Sequence, residues 1–253
     1  MAKTYIGIDL GSTTVKAVAL NGRVLASAIK PTGANPRKAG EAVLEQVLQT
    51  SGGSVDKIIA TGYGRVTFSA DEIVSEIPAH AKGSNHLFPG ARTVIDIGGQ
   101  DSKITKIDPH GRVLDFAMND RCAAGTGRFI ENIARALEIS LEEFSQKSLA
   151  SKSPTNINSM CTVFAESEVI SQIAQGTSIE DVSAGVYASV ARRIGAMVEK
   201  VGVEDQVVFT GGTARSIAMK NALEDALKIK LAVPDEPQMV GALGAAVIGR
   251  DGY

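Results

Sequence analysis

Three segments of the chain place a tight glycine turn directly after a run of apolar residues: 6–14, 94–102 and 207–214. The first two also carry an aspartate near the end of the apolar run, Asp9 and Asp96. Such a turn can point backbone N–H groups and hydroxyls at phosphate oxygens, and the aspartate lies where it can hold a hydrated Mg²⁺. Two such turns facing each other would clamp a polyphosphate and its metal from both sides. The third turn would let the backbone approach a nucleoside closely.

Hydrolysis of a bound polyphosphate would also need a residue that activates the attacking water, and no comparable motif marks such a residue. Gln100 and Asp101 both follow the second turn and are candidates for orienting that water. A place in an ordinary surface loop explains either residue equally well, so the general base stays open.

The two cysteines of the chain, Cys122 and Cys161, each lie just before a predicted helix. Two buried thiols are the ordinary explanation of such a pair. The start of a helix, however, stabilises a thiolate through its dipole and free N–H groups, and small or hydroxyl-bearing residues flank both cysteines. A cubane iron–sulfur cluster usually needs four thiolates, which two chains related by a two-fold axis would supply. Zinc is the alternative metal, although structural zinc sites favour closely spaced cysteine pairs, which this sequence lacks.

The elements that must position these residues occur twice along the chain. A first series of patterns predicts the order βββαβ, with strands at 5–9, 15–20, 24–29 and 57–61 and a helix around 43–48. A second series restarts at Thr93, with strands at 94–97, 103–108, 112–117 and 206–210. The sequence therefore predicts an internally duplicated α/β architecture, with the change between halves near residues 85–92.

The region after Ala123 is predicted to be mainly helical, with helices at 126–138, 140–148, 163–175 and 178–201. Ser140 with Glu143, and Ser178 with Asp181, have the spacing of helix N-caps. Further helices are expected from Ala214 and over 239–248.

Composition excludes several classes of function. The 26 basic residues nearly balance the 28 acidic ones, and no basic run could neutralise a nucleic-acid backbone. No segment approaches the roughly 20 apolar residues that a membrane span requires, and Asp9 interrupts the first apolar run. We expect a folded cytoplasmic protein whose cysteines form no disulfide scaffold.

The three glycine turns, in this order within a duplicated fold, resemble the acetate and sugar kinase, actin and heat-shock chaperone ATPase superfamily. Its first phosphate loop, first connector, second phosphate loop, adenosine loop and second connector match 7–20, 72–84, 94–104, 207–216 and 239–247. The resemblance implies an α/β, ribonuclease-H-like fold in two lobes with ATP in the cleft between them. The lobes would be 1–90, with a helix at about 240–253 packing back on it, and 91–239, which carries the cysteines.

The same resemblance assigns roles to single residues. Asp9 and Asp96 match the acids that organise the metal, and Gln100 is kept beside them as a catalytic candidate. The predicted nucleotide-binding set is Gly11, Ser12, Thr13, Thr14, Lys16, Gly98, Gly99, Asp101, Gly211, Gly212, Thr213 and Gln238.

Four motifs resemble a narrower family, the activators of 2-hydroxyacyl-CoA dehydratases, which are related to the ATPase subunits of benzoyl-CoA reductases. In chain order the motifs are IDIGGQDSK, NDRCAAGTGRF, NSMCTVFAESEV and TGGTARS, and the likeness runs over essentially the full length. It implies one [4Fe–4S] cluster held between two subunits by Cys122 and Cys161 of each, and reduced by ferredoxin or flavodoxin. ATP hydrolysis would change the angle between helices at the cluster, and one electron would pass to the dehydratase or a related iron–sulfur reductase.

Two alternatives stay open at this point. A small-molecule kinase of the same superfamily would share the ATP loops, but 253 residues leave little room for a substrate lobe, and the cysteines would be incidental. An actin-like or chaperone-like nucleotide switch would lack redox chemistry altogether.

Overall fold

Two five-stranded sheets form the framework of the protein, whose computed structural model describes residues 3–52, 55–158 and 161–252. The strands are β1 (Tyr5–Leu10), β2 (Thr14–Asn21), β3 (Arg23–Pro31), β4 (Lys57–Thr61), β5 (Glu72–Ile73), β6 (Thr93–Ile97), β7 (Ser102–Ile107), β8 (Val113–Asn119), β9 (Val207–Thr210) and β10 (Leu231–Ala232). The helices are α1 (Pro36–Ser51), α2 (Glu76–Leu87), α3 (Gly127–Ala136), α4 (Leu141–Leu149), α5 (Thr162–Ala174), α6 (Ile179–Val201), α7 (Ile217–Leu227) and α8 (Val240–Asp251).

The two sheets have the same topology. The first has the strand order β3-β2-β1-β4-β5, in which β1 to β3 are antiparallel neighbours and β4 and β5 run parallel to β1. The second repeats this arrangement as β8-β7-β6-β9-β10. The predicted duplicated α/β architecture is therefore confirmed. The short strands β5 and β10 were not predicted, because two residues are too few to show a periodicity.

Strand β1 is buried on both faces, because α1 packs on one side of the first sheet and α8 on the other. Ile6, Ile8 and Leu10 pack with Val43 and Val47 of α1 in one core. On the opposite face the backbone of α8 comes so close that a Cβ on Gly7 would lie 1.9 Å from the Ala242 carbonyl oxygen.

The second sheet packs on a larger core built from α3 to α7. The predicted caps are confirmed, since Ser140 accepts a hydrogen bond from the Glu143 N–H and Ser178 accepts one from the Asp181 N–H. The helix expected from Ala214 begins later, at Ile217. Residues Gly212–Arg215 form a 3₁₀ turn instead, and the helix starts where the Ser216 hydroxyl can accept from the Met219 N–H.

Helices α2 and α8 cross each other at backbone distance. A Cβ on Gly244 would lie 1.7 Å from the Ala79 carbonyl oxygen, and one on Gly83 would lie 2.1 Å from the Val240 carbonyl oxygen. Helix α8 packs on the first sheet, whereas α2 also contacts β6 and β7 of the second. Together they connect the two halves of the fold. Among the described residues, no helix is both long enough and apolar enough to cross a membrane.

Candidate active site

A cavity of about 740 Å³ lies where the two halves of the fold face each other. All three predicted glycine turns contribute to its wall. The predicted residues that line it are Asp9, Gly11, Ser12, Thr13, Thr14, Lys16, Asp96, Gly98, Gly99, Asp101, Gly211, Gly212, Thr213 and Gln238. Tertiary folding therefore brings together residues that are up to 229 positions apart in the chain.

Gln100 is the one predicted residue of this group that does not line the cavity. It is exposed in the turn between β6 and β7, whereas its neighbour Asp101 is buried and faces the cavity. The role of Gln100 in orienting water stays a prediction.

The first phosphate turn joins β1 to β2 and is held by the end of β3. The Thr32 hydroxyl donates to the Gly11 carbonyl oxygen at 2.7 Å, and the Thr32 N–H donates to the Thr13 carbonyl oxygen at 3.0 Å. Asp9 is buried and pairs with Lys16, whose ammonium nitrogen lies 2.9 Å from its carboxylate. The hydroxyl of Thr13 is buried and, among the described residues, has no hydrogen-bond partner. Such a group costs free energy unless a ligand satisfies it.

The second phosphate turn carries Asp96 at its base. One carboxylate oxygen of Asp96 accepts from the Thr210 hydroxyl at 3.1 Å and lies 3.5 Å from His80 Nδ1. The other lies 3.6 Å from the Lys103 ammonium. Burial acts to raise the pKa of Asp96, but attraction from His80 and Lys103 outweighs it, so this pKa is lowered and the carboxylate is ionised.

Two glycines press against these aspartates in equivalent positions of the two halves. A Cβ on Gly62 would lie 2.6 Å from Asp9 Oδ1, and one on Gly211 would lie 2.7 Å from Asp96 Oδ1. Both glycines follow the strand next to the aspartate, have φ near +90° and precede a 3₁₀ turn. The sequence marked Gly211 by its motif but not Gly62. The signal that could have identified Gly62 is its position directly after a predicted strand, which it shares with Gly211.

Helix α2 contributes two cavity-lining side chains that sequence reasoning missed, Glu76 and His80. They are one helical turn apart, on the same face of α2. Burial raises the pKa of Glu76, against the lowering effect of the neighbouring Lys103 ammonium. A carboxylate with a raised pKa in a cavity is a typical feature of a functional site.

Lys103 was also missed. Its side chain is only 4% exposed, and its ammonium lies 2.7 Å from Asp101 and 2.8 Å from Glu76. Burial acts to lower the pKa of Lys103, but attraction from Asp96, Glu76 and Asp101 outweighs it and raises this pKa, so the ammonium stays charged.

The far end of the cavity is formed by α4, α6 and the start of α7. Leu141, Leu149 and Ile217 line it although they are exposed, which suits the flat apolar faces of a nucleobase. The hydroxyls of Ser145 and Ser216 are 3.0 Å apart, and Ser216 donates to the Tyr187 hydroxyl. Sequence reasoning missed this wall, because no glycine motif marks α4.

Helix α3 starts directly on the second phosphate turn. The N–H groups of Gly127 and Arg128 donate to the carbonyl oxygens of Gly98 and Gly99, both at 2.9 Å. The buried Ser102 hydroxyl donates to the Gly125 carbonyl oxygen at 2.9 Å. The segment that follows Cys122 is thus hydrogen-bonded to the turn that lines the cavity.

Both cysteines are free and exposed, which excludes the alternative of two buried thiols. Asn119 holds Cys122 from both sides, because its side chain donates to the Cys122 carbonyl oxygen and accepts from the Cys122 N–H. Cys161 is the N-cap residue of α5. Ser159 and Met160 of the second cysteine motif lie outside the described residues.

The fold and the cavity define a class of protein: a two-lobed, actin-like α/β ATPase with paired phosphate turns on either side of a nucleotide cleft. The chain belongs to the BadF/BadG/BcrA/BcrD ATPase family, whose model matches residues 6–249. The resemblance to dehydratase activators that the motifs indicated is confirmed.

Individual relatives agree with this membership. The chain is 44% identical to the activator of lactoyl-CoA dehydratase from Anaerotignum propionicum, covering 96% of this chain and 95% of the relative. It resembles the solved activator of 2-hydroxyisocaproyl-CoA dehydratase from Clostridium difficile with bound ADPNP, with a TM-score of 0.92, 42% identity and coverage of 98% and 94% of the two chains. Component A of (R)-2-hydroxyglutaryl-CoA dehydratase from Acidaminococcus fermentans gives a TM-score of 0.93 at 37% identity, covering 97% of each chain. These likenesses favour the activator prediction over the kinase and switch alternatives.

Proposed function

We propose that this protein is a cytoplasmic, homodimeric activator that couples ATP hydrolysis to the delivery of one low-potential electron to a 2-hydroxyacyl-CoA dehydratase or a related iron–sulfur reductase. Ferredoxin or flavodoxin would supply the electron. The observation that carries the proposal is the direct hydrogen bonding between the second phosphate turn and the segment after Cys122. The likeness to named dehydratase activators supports the identity of the partner.

ATP would occupy the cleft between a lobe of residues 1–90, completed by α8, and a lobe of residues 91–239. Asp9 and Asp96 would hold Mg²⁺ through its water shell, because both carboxylates line the cavity close to a phosphate turn. Lys16 and the unpartnered Thr13 hydroxyl would bind phosphate oxygens. Residues Gly211 to Thr213 and Gln238 would face the nucleoside, whose base would lie on α4.

The exposed cysteines fit a cluster shared between two copies. One chain offers two thiols, and a cubane needs four. Cys122 lies beside the Arg193 guanidinium, with which it forms a hydrogen bond, so a positive charge lies next to the proposed cluster ligand. Val163 and Phe164, next to Cys161, are 68% and 69% exposed, as expected of side chains that a second copy covers. When bound, a [4Fe–4S] cluster supplies the single low-potential electron.

Coupling would run through α3. A nucleotide that moves the second phosphate turn must also move Gly127, Arg128 and Gly125, because these residues are hydrogen-bonded to it. The segment between Cys122 and α3 is short, so the position of this thiol would follow the turn. ATP could in this way bias a dimer with two arrangements at the cysteines.

Iron and acid-labile sulfide analysis after anaerobic purification tests the cluster assignment. The dimer should hold roughly four irons, as one cubane requires. Cys122→Ser and Cys161→Ser should each lose the cluster, since each change removes two of the four ligands by symmetry. Asp9→Asn is the control and should keep its iron. A colourless protein with stoichiometric zinc, or a full cluster in either cysteine variant, would contradict the assignment.

Coupling is tested by mixing the reduced protein with a cognate dehydratase and either ATP or a non-hydrolysable analogue, while reduction of the partner is followed spectroscopically. Sustained electron transfer is expected with ATP but not with the analogue. Equal sustained transfer with both nucleotides would refute coupling, and phosphorylation of a sugar or carboxylate by the protein alone would favour the kinase alternative.

A further inference from the structure

The two halves of the fold place a lysine directly opposite an aspartate in the same way. Asp9 of β1 pairs in register with Lys16 of β2, and Asp96 of β6 pairs in register with Lys103 of β7. The spacing is seven residues in both cases. Duplication would therefore predict one role for both lysines. Their surroundings differ.

Lys16 has one carboxylate partner among the described residues, Asp9. An ammonium group carries three N–H donors, so Lys16 keeps donors for a ligand in the cavity that it lines. This lysine is suited to bind phosphate directly.

Lys103 is surrounded by three carboxylates, at 2.7 Å from Asp101, 2.8 Å from Glu76 and 3.6 Å from Asp96. Asp101 and Glu76 lie within hydrogen-bond distance of its ammonium, Asp96 is a more distant ion-pair partner, and the side chain is 4% exposed. Although Lys103 also lines the cavity, its charge is shared among three carboxylates, so it is less available than Lys16 to a phosphate oxygen. Lys103 connects two carboxylates of the β6–β7 hairpin, Asp96 and Asp101, with the Glu76 carboxylate of α2.

We infer that Lys103 is a positioning residue of the nucleotide site: it holds the carboxylates of Asp96, Asp101 and Glu76 in place for hydrolysis, and it leaves phosphate binding to Lys16. The inference rests on the proposed placement of ATP in the cleft. It goes further in assigning different roles to two lysines that the duplication makes equivalent.

The consequence of losing Lys103 follows from this geometry. Three buried carboxylates close together would repel one another, so their side chains would move apart. Asp101 would no longer be held across the turn, where its Oδ1 lies 2.8 Å from a Cβ placed on Gly98. Glu76 would lose its ion pair with the β6–β7 hairpin. Hydrolysis would slow, because the reacting groups would no longer be aligned.

The test compares Lys16→Met, Lys103→Met and the charge-balanced double variant Lys103→Met/Glu76→Gln with the wild-type protein. Affinity for a fluorescent ATP analogue is measured together with kcat and KM for phosphate release, and thermal unfolding verifies the fold. Lys16→Met should weaken nucleotide binding by roughly tenfold or more, because a hydrogen bond between charged groups is lost. Lys103→Met should lower kcat by about tenfold or more.

The double variant keeps the net charge of the cleft, so its nucleotide affinity should stay within about threefold of the wild type. Its kcat should be no lower than that of Lys103→Met, because both changes break the same contact. If Lys103→Met does not fold, the double variant is compared with Glu76→Gln instead and should show a similar kcat.

The inference would be overturned if the Lys103 variants lost as much nucleotide affinity as Lys16→Met, since Lys103 would then contact phosphate. An unchanged kcat in a folded Lys103→Met protein would also overturn it. So would a double variant in which the loss of kcat is the product of the losses caused by the two single changes. Unaffected nucleotide binding in Lys16→Met is a separate outcome, which refutes the placement of ATP in the cleft.

Discussion

Replacement of Gly211 by alanine tests the contact between the third glycine turn and the aspartate of the second. Gly211 has φ +90° and ψ 178°, a conformation that essentially only glycine adopts. A Cβ there would lie 2.4 Å from the Ile97 carbonyl oxygen and 2.7 Å from Asp96 Oδ1. The strand end cannot retreat easily, because β6 is hydrogen-bonded on both sides. We therefore expect Asp96 to be displaced.

The matched control is Gly202→Ala at the end of α6. Gly202 has φ +77° and ψ 152°, but a Cβ there would meet no atom within 4 Å. Each alanine should destabilise the fold by about 1–3 kcal/mol through its backbone conformation. Overlap at Gly211 adds about 1–3 kcal/mol. The free energy of unfolding should thus fall by about 2–6 kcal/mol in Gly211→Ala and by about 1–3 kcal/mol in the control.

Urea denaturation without nucleotide measures the stability of both variants, and titration with a fluorescent ATP analogue measures binding. Gly211→Ala should bind the analogue at least about tenfold more weakly, because Asp96 no longer faces the metal, whereas the control should bind normally. Equal losses of stability in the two variants, together with normal binding in both, would refute the steric explanation.

Three further predictions concern other parts of the molecule. Asp9→Asn and Asp96→Asn should lower ATP hydrolysis by roughly 10- to 100-fold and change its Mg²⁺ dependence, because the organising charge is lost; a residual rate with unchanged Mg²⁺ dependence would count against their role. Ser102→Ala should keep ATP hydrolysis within about threefold of the wild type yet slow electron delivery to the partner, since only its bond to the Gly125 carbonyl oxygen is removed; equal loss of both activities would contradict a coupling role. Hydrogen bonds from Ser151 and from the Ser153 N–H lower the pKa of Asp181 from 3.8 to about 2, so its stabilising contribution is present above pH 3.8 and lost as the pH falls through about 2. The stability difference between wild type and Asp181→Asn in acid titrations should shrink over that window, and a constant difference would contradict this.

Most strands and helices were predicted because each carries a local signal. Strands such as β1 and β6 are apolar runs that end in a glycine turn, and α4 and α6 begin at the capping serines Ser140 and Ser178. The start of α7 was predicted three residues too early, because a 3₁₀ turn and a helix share the same local sequence preferences. The boundary between the 3₁₀ turn and the helix is set by the N-cap, which depends on which hydroxyl reaches a free N–H.

The site was predicted where it is built from glycine turns and missed where it is built from helices. Glu76 and His80 look like the polar face of an ordinary helix, and Lys103 looks like a strand lysine on a solvated face. Only the packing of α2 against the second sheet brings Glu76 within 2.8 Å of the Lys103 ammonium. No local pattern contains that distance.

The amino-acid sequence by itself determined the duplicated architecture, the three turns suited to phosphate and nucleoside, and the two cysteines that precede helices. These features depend on neighbouring residues, whose conformational preferences and spacing act along the chain. The tertiary structure alone decided that Lys103 is surrounded by carboxylates while Lys16 keeps donors for a ligand, and that α3 starts on the second phosphate turn. Those outcomes depend on burial and on contacts between residues distant in the chain, because a charge's partners are set by which elements pack against it.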